Sequence, residues 1–271
     1  MKTAVGSVIY SQADEYIGDF LESLRMQSIQ NFTIILISDD IEELSFRRKY
    51  DNYVRFFGKR LLFISTKEIT SEPYKLRIEL LIISRKMGID LLVLCDCDDK
   101  CSLNRIEETQ KAFQTDISFL YNGIKDFNGN NVMPELPSAT DSFMQILECN
   151  YLGLSNTAII MKNLSETFLQ SLYKGKTKIF DWYLFSRILL DGGGGRKIDG
   201  CYTCYRIHRN NIAGIPASTV MSLEREKEVK LEHYTLLSEY APIYLNLVQK
   251  YKNITLETGI SGLSFWWGQL S

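Results

Sequence analysis

The stretch Leu91-Leu92-Val93-Leu94-Cys95-Asp96-Cys97-Asp98-Asp99 constrains this chain more than any other. Four consecutive large aliphatic residues followed at once by acids read as a strand buried on both faces, of the kind found inside a parallel sheet. Strand alternation puts Asp96 and Asp98 on the same side at the carboxyl end. That end of an open α/β sheet is where ligands bind. Two carboxylates held this close repel one another unless something positive sits between them. A hard divalent cation, Mn²⁺ or Mg²⁺, shared with phosphate oxygens meets that need. A solvated acidic turn is the plainer alternative.

The segments before this strand supply its neighbours. Thr3 to Tyr10, Phe32 to Ser38 and Leu61 to Ser65 read as three more strands. Between them, Ser11 offers an N-cap with Asp14 three residues on, ahead of Ile17, Phe20, Leu21 and Leu24 at helical spacing. Residues 41–57 look helical, and Pro73 and Gly88 bracket a further helix carrying Leu76, Leu80, Ile83 and Met87. Strands alternating with helices imply parallel β-α-β units with right-handed crossovers, a Rossmann-like half over residues 1–124. The remainder is less regular. Asn122-Gly123 and residues 127–131 carry turn chemistry, and Thr157 to Met161 is a short strand. Ser165 to Tyr173 and Phe180 to Leu190 are helices, Gly192 to Gly195 is a turn, and Cys201 to His208 is a strand. Ser218 to Lys252 reads as one or two charged amphipathic helices.

Bulk properties exclude several classes. A net charge of −2 and a pI near 5.9 give no reason to expect nucleic-acid binding. The 45% hydrophobic content supports a full core, while no apolar run approaches the ~20 residues of a membrane helix. The opening residues carry no long apolar segment, so a cytoplasmic protein with reduced thiols is the expectation. Cys201-x-x-Cys204 could join Cys97 and Cys101 around zinc, but buried core thiols are the simpler reading.

Taken in order, these residues resemble family 2 glycosyltransferases of the GT-A fold. Four blocks carry the likeness: Tyr10 with the helix ending Leu21-Glu22-Ser23-Leu24-Arg25-Met26-Gln27-Ser28; Asp39-Asp40 closing strand two; the acidic cluster, similar to the family's Asp-x-Asp; and Phe180-Asp181-Trp182-Tyr183-Leu184, similar to its Glu-Asp-x-x-Leu helix. A later block, residues 205–214, is similar to a Tyr-Arg-x-His-x-x-Asn-x-x-Gly segment of many bacterial members. The likeness spans residues 4–214. The fold it implies is α/β, a GT-A domain with a Rossmann-like nucleotide-binding half and a mixed sheet, plus a C-terminal helical extension. Residues 1–124 would bind the nucleotide sugar, 125–217 the acceptor, and 218–271 would form the extension.

By position, the resemblance implies that Tyr10 stacks on the nucleotide base and Asp39 accepts a hydrogen bond from its edge. Arg77 would approach the base or diphosphate, Asp96 would face ribose or metal, Asp98 would ligate the metal, and Asp181 would be the base that deprotonates the acceptor hydroxyl. Beside the resemblance, Arg206 belongs to a donor-rich loop suited to phosphate or sugar oxygens, and His208, one of only two histidines, is a candidate metal ligand with Asp96 and Asp98 or a diphosphate contact. The partners implied are a nucleotide-diphosphate sugar, UDP- or dTDP-linked, and a glycan or lipid-linked acceptor in cell-surface glycan synthesis. Each residue has a plainer role: Tyr10 in the core, Asp39 or Asp181 as a helix cap, His208 as a surface histidine. Asp141 and Glu148 are the alternatives for the base. The chain departs from the family in Val8-Ile9 before Tyr10, in Ile41-Glu42 after Asp40, and in Phe180 before Asp181. A haloacid-dehalogenase type phosphotransferase would want its acidic pair on the first strand, and a non-catalytic sugar-nucleotide binder would keep the site without turnover. The closing Leu263-Ser264-Phe265-Trp266-Trp267 is expected to pack on the domain, with a homodimer contact or a membrane surface as alternatives.

Overall fold

Strand β4 (Leu91–Leu94) is buried along its whole length because each face of the sheet carries its own core. Leu91 and Val93 face one hydrophobic cluster, and Leu92 and Leu94 the other. The same split runs through β1 (Thr3–Ile9) and β2 (Thr33–Ser38), where Val5, Ile34 and Leu36 join the first cluster and Ala4, Ile35 and Ile37 the second. In the computed structural model, which describes residues 1–66, 72–207, 220–255 and 265–270, these strands form one sheet of nine strands among the described residues.

The order is β3-β2-β1-β4-β8-β6-β9-β5, with β7 paired to β9. Here β3 is Leu61–Ser65, β5 Lys100–Cys101, β6 Phe119–Lys125, β7 Ala139–Thr140, β8 Thr157–Ile160 and β9 Gly195–Cys204. The strands β3, β2, β1 and β4 are parallel. Strand β8 then runs antiparallel to both β4 and β6, and β9 is parallel to β6. The sheet is therefore mixed, and the carboxyl ends of β1, β4 and β9 share an edge with the amino end of β8.

One face is covered by α1 (Ile17–Arg25), α2 (Glu43–Lys49), α3 (Asp51–Phe57) and α5 (Arg105–Lys111). The other carries α4 (Pro73–Lys86), α6 (Glu166–Ser171), α7 (Phe180–Leu190) and the hairpin of α8 (Val220–Leu237) and α9 (Pro242–Asn253). Pro73 opens α4 at its first turn, and Gly88 past its end has φ +66°, the left-handed cap that glycine takes without strain.

Several expectations need correction. Ser11 does not cap α1; its amide and hydroxyl both donate to the Asp40 carboxylate, and α1 begins at Ile17. Residues 41–57 split into two helices at Tyr50, whose hydroxyl donates to Asp14. Asn122-Gly123 is not a turn but lies inside β6, where the register against β9 shifts at a bulge. Residues 127–131 do form a turn, on the Asp126 carboxylate and with Gly129 at φ +86°. The α8 helix is less amphipathic than its charges imply: Glu226, Lys230 and His233 are all buried. No helix among the described residues is long and apolar enough to cross a membrane.

Candidate active site

At the shared edge, where the order turns from β1 to β4, a cleft of about 790 Å³ opens. Crevices at such switch points are the usual ligand sites of α/β sheets. Its walls include Tyr10, Asp39, Arg77, Asp96, Asp98 and Asp181. Tyr10 and Asp181, 171 positions apart, thus meet in one cavity.

The acidic cluster is presented by a turn rather than by strand alternation. Strand β4 stops at Leu94, and the Asp99 amide bonds back to the Asp96 carbonyl at 3.1 Å. Asp96, Asp98 and Asp99 all border the cleft, Asp99 the most deeply buried of the three, while Cys97 turns into the core. Ser155, just before β8, accepts the Asp96 amide at 2.7 Å and so ties β4 to its antiparallel neighbour. Beneath the turn lies Arg105, 1% exposed, which donates to the Leu94 carbonyl at 2.8 Å and lies 3.4 Å from Cys101 Sγ. The cysteines are free, and all but Cys204 are buried.

Arg206 does not line the cleft as a donor contact. It sits behind the turn, its backbone amide donating to Asp99 Oδ1 and its side chain to the Asp98 carbonyl, both at 2.8 Å, and to Asp19 Oδ2 at 2.6 Å. Its guanidinium is sandwiched between the rings of Tyr16 and Phe127, at 4.4 and 4.3 Å. It is a clamp on the acidic turn. His208 lies outside the described residues.

The electrostatics of the turn suit a divalent cation. Burial and then the like charge of Asp98 push the Asp96 carboxyl up, against Arg77 at 3.8 Å. Burial, Asp98 and Asp96 push Asp99 well up, and its buried Oδ2 makes no well-formed hydrogen bond. Tyr10 is raised by burial and by these same carboxylates. Asp39 is raised by burial and by Asp40, and it does not cap α2, whose N-cap position is Glu42. Among the described residues no three ligands form a ready-made metal cage. One or two carboxylates facing open space suit Mg²⁺ or Mn²⁺, which complete their shells with water and phosphate oxygens.

Asp181 also lines the cleft, from the first turn of α7, within electrostatic reach of Arg77 and Asp96. Its Oδ1 accepts the Trp182 amide at 2.8 Å, and burial pushes its carboxyl up to about 6. The two alternatives for a base are engaged elsewhere. Asp141 pairs with Arg196, and Glu148 binds Lys250 and Tyr251.

Sequence reasoning missed four contributors. Ser155 and Asp19 carry no local pattern that marks them, and Asp99, part of the acidic run, was given no role of its own. The fourth is the C-terminal pair: Trp266 and Trp267 form part of the cleft wall. Trp266 rests where Gly153 leaves room; a Cβ there would meet the indole at 2.7 Å. Trp267 holds φ +59°, a left-handed conformation costing a non-glycine residue about 1–2 kcal/mol. Its 9% exposure and the anchored chain around it keep it there.

No family model matches the chain, and no curated protein matches it. Solved structures do. TarS 1-349 of S. aureus, in complex with UDP-GlcNAc, superposes with a TM-score of 0.63 at 16% identity, over 93% of this chain and 72% of that one. GalNAc-T7, with UDP, GalNAc and Mn²⁺, gives 0.61 at 11% identity, over 94% and 52%. The mannosyltransferase PcManGT of Pyrobaculum calidifontis, in complex with GDP-Man and Mn²⁺, gives 0.58 at 9%, over 93% and 68%. At these identities the likeness is one of architecture, and the architecture is the GT-A fold.

Proposed function

We propose that this chain is an inverting glycosyltransferase that moves a sugar from a nucleotide-diphosphate sugar to a hydroxyl acceptor. The observation that carries the reading is the meeting, in one cleft, of the carboxylates of Asp96, Asp98 and Asp99, whose mutual repulsion helps to raise Asp96 and Asp99, with a separate carboxyl, Asp181, raised to about 6. The structural neighbours support it, since TarS and PcManGT bind UDP-GlcNAc and GDP-Man.

In this reading Tyr10 and Asp39, at the ends of β1 and β2, take the base, and Arg77 faces the diphosphate. Asp98 and Asp96 would hold Mn²⁺ or Mg²⁺, which when bound would supply positive charge for the leaving diphosphate. Asp181 accepts the acceptor's proton as its oxygen bonds to the anomeric carbon and the bond to the diphosphate breaks. A single base on the face opposite the leaving group gives inversion. A carboxyl near 6 is ionised at neutral pH yet basic enough to work, as a general base must be. Residues 1–124 then serve the donor and 125–217 much of the acceptor side. A UDP- or dTDP-linked donor, a glycan or lipid-linked acceptor, and a place in cell-surface glycan synthesis belong to the same proposal.

The test is incubation with a panel of nucleotide sugars and Mn²⁺, with release of nucleotide diphosphate as the readout. Metal-dependent release from one donor supports transfer. Tight nucleotide binding without turnover, with or without added glycans, refutes it in favour of a binding protein.

A further inference from the structure

We propose that the C-terminal segment carries the acceptor subsite, and that it recognises a saccharide by stacking a pyranose ring on Trp266. The inference rests on the transferase reading for the word acceptor, but not for the binding of a sugar.

Position comes first. Sheet order puts Tyr10 and Asp39 on one side of the acidic turn, and residues 153–155 and Tyr205 on the other. Trp266 packs over Gly153, two residues from the Ser155 that holds the Asp96 amide. Two residues of chain span at most about 7 Å, so Gly153 and the indole over it stand on the flank of the acidic turn away from the base side. Tyr205 extends the aromatic surface, its ring centroid 5.9 Å from that of Trp266.

The wall is built rather than draped. The Asn150 amide donates to the Trp266 carbonyl at 2.8 Å. The buried Glu226 carboxylate accepts the amides of Gln269 and Leu270 at 2.9 and 2.8 Å. Buried Lys230 and Tyr251 both donate to the Leu270 carbonyl. The hairpin of α8 and α9 thus fixes the segment from behind, which explains why α8 buries its charges.

The chemistry matches a sugar. A pyranose offers an apolar C–H face and a rim of hydroxyls. An aromatic plate suits the face, and polar groups beside it suit the rim. Polar groups of the same cleft, among them Lys176, Thr177, Lys178 and Glu232, are available to such a rim.

The test measures binding of chito-, malto- and galacto-oligosaccharides to the full chain by calorimetry and saturation-transfer NMR, with nucleotide diphosphate and Mn²⁺ present. At least one probe should bind the native protein. Trp266→Ala should weaken it by about tenfold or more, the usual worth of an aromatic stack, and Trp266→Phe should restore most of it. Affinity for nucleotide diphosphate should move much less in both. If no saccharide binds, or if Trp266→Ala weakens the nucleotide sugar and spares the oligosaccharide, the subsite is refuted. Absence of donor turnover in the native protein would refute the transferase reading alone, because the saccharide titration needs no reaction.

Discussion

Replacing Asp181 by asparagine tests the site through two independent readouts. The exchange keeps side-chain volume and keeps the oxygen that accepts the Trp182 amide. It removes a charge that burial disfavours. A carboxyl raised from 3.8 to about 6 in the folded protein is equivalent to about 3 kcal/mol. The sign follows from linkage. The folded state binds this proton more tightly than the unfolded chain, so ionisation costs stability. That cost is absent below pH ~4, grows between pH 4 and 6, and is complete above. Asp181→Asn should therefore melt higher than the native protein at pH 7.5, by up to about 3 kcal/mol, and equally at pH 4. At about 2–4 °C per kcal/mol for a chain of this size, the difference is readily seen by calorimetry. Transfer should fall on the order of 10²–10⁴-fold, the loss expected for a general base. The native pH–rate profile should lose activity below about pH 6, and the residual rate of the variant should lack that limb. Near-normal transfer would refute the base assignment. A melting difference that does not change between pH 4 and 7.5 would refute the buried charge.

Asp98→Asn should abolish the strengthening of nucleotide-diphosphate binding by Mn²⁺, measured by calorimetry, while binding without metal stays within a few-fold; equal metal enhancement in both proteins would count against the acidic turn. Arg206→Met removes the guanidinium bonds to the Asp98 carbonyl and to Asp19 while keeping the backbone amide on Asp99; it should lower stability by about 1–3 kcal/mol and weaken metal enhancement, and a silent change would show that the turn holds itself. Gly153→Ala brings a methyl within 2.7 Å of the Trp266 ring. It should cost about 1–3 kcal/mol in denaturant melts and change indole emission, so an unperturbed variant would mean the C-terminal segment is not packed there. Lys230→Met leaves Glu226 buried without its cation 3.3 Å away; a loss of about 3–5 kcal/mol is expected, against little change if the pair is dispensable.

Much of this architecture was legible in the amino-acid order. Leu61 to Ser65 and Phe180 to Leu190 form the elements their patterns imply, end to end. Pro73 opens its helix, and the aliphatic run before Asp96 becomes a strand with a core on each face. These features follow from local physics, namely periodicity, fixed proline geometry and the cost of exposing a four-residue apolar run. Local signals failed where distant residues decided the outcome. Asn122-Gly123 has the composition of a turn, but β8 and β9 pair on either side of β6 and hold it extended. Ser11 has the spacing of a cap, but Asp40, 29 residues on, accepts its hydroxyl.

The candidate site divides in the same way. In the sequence, Asp96 and Asp98 stood out as carboxylates that end an apolar strand, while Tyr10, Asp39, Arg77 and Asp181 were marked by the resemblance to a known family. Only the tertiary structure decided that Arg206 clamps the turn from behind, that Ser155 and Asp99 complete it, and that Trp266 and Trp267 reach the cleft. A residue's chemical type is written in the chain. Its direction is set by which elements pack behind it, and the glutamate and lysine of α8 that hold the last described residues lie about 40 positions from them.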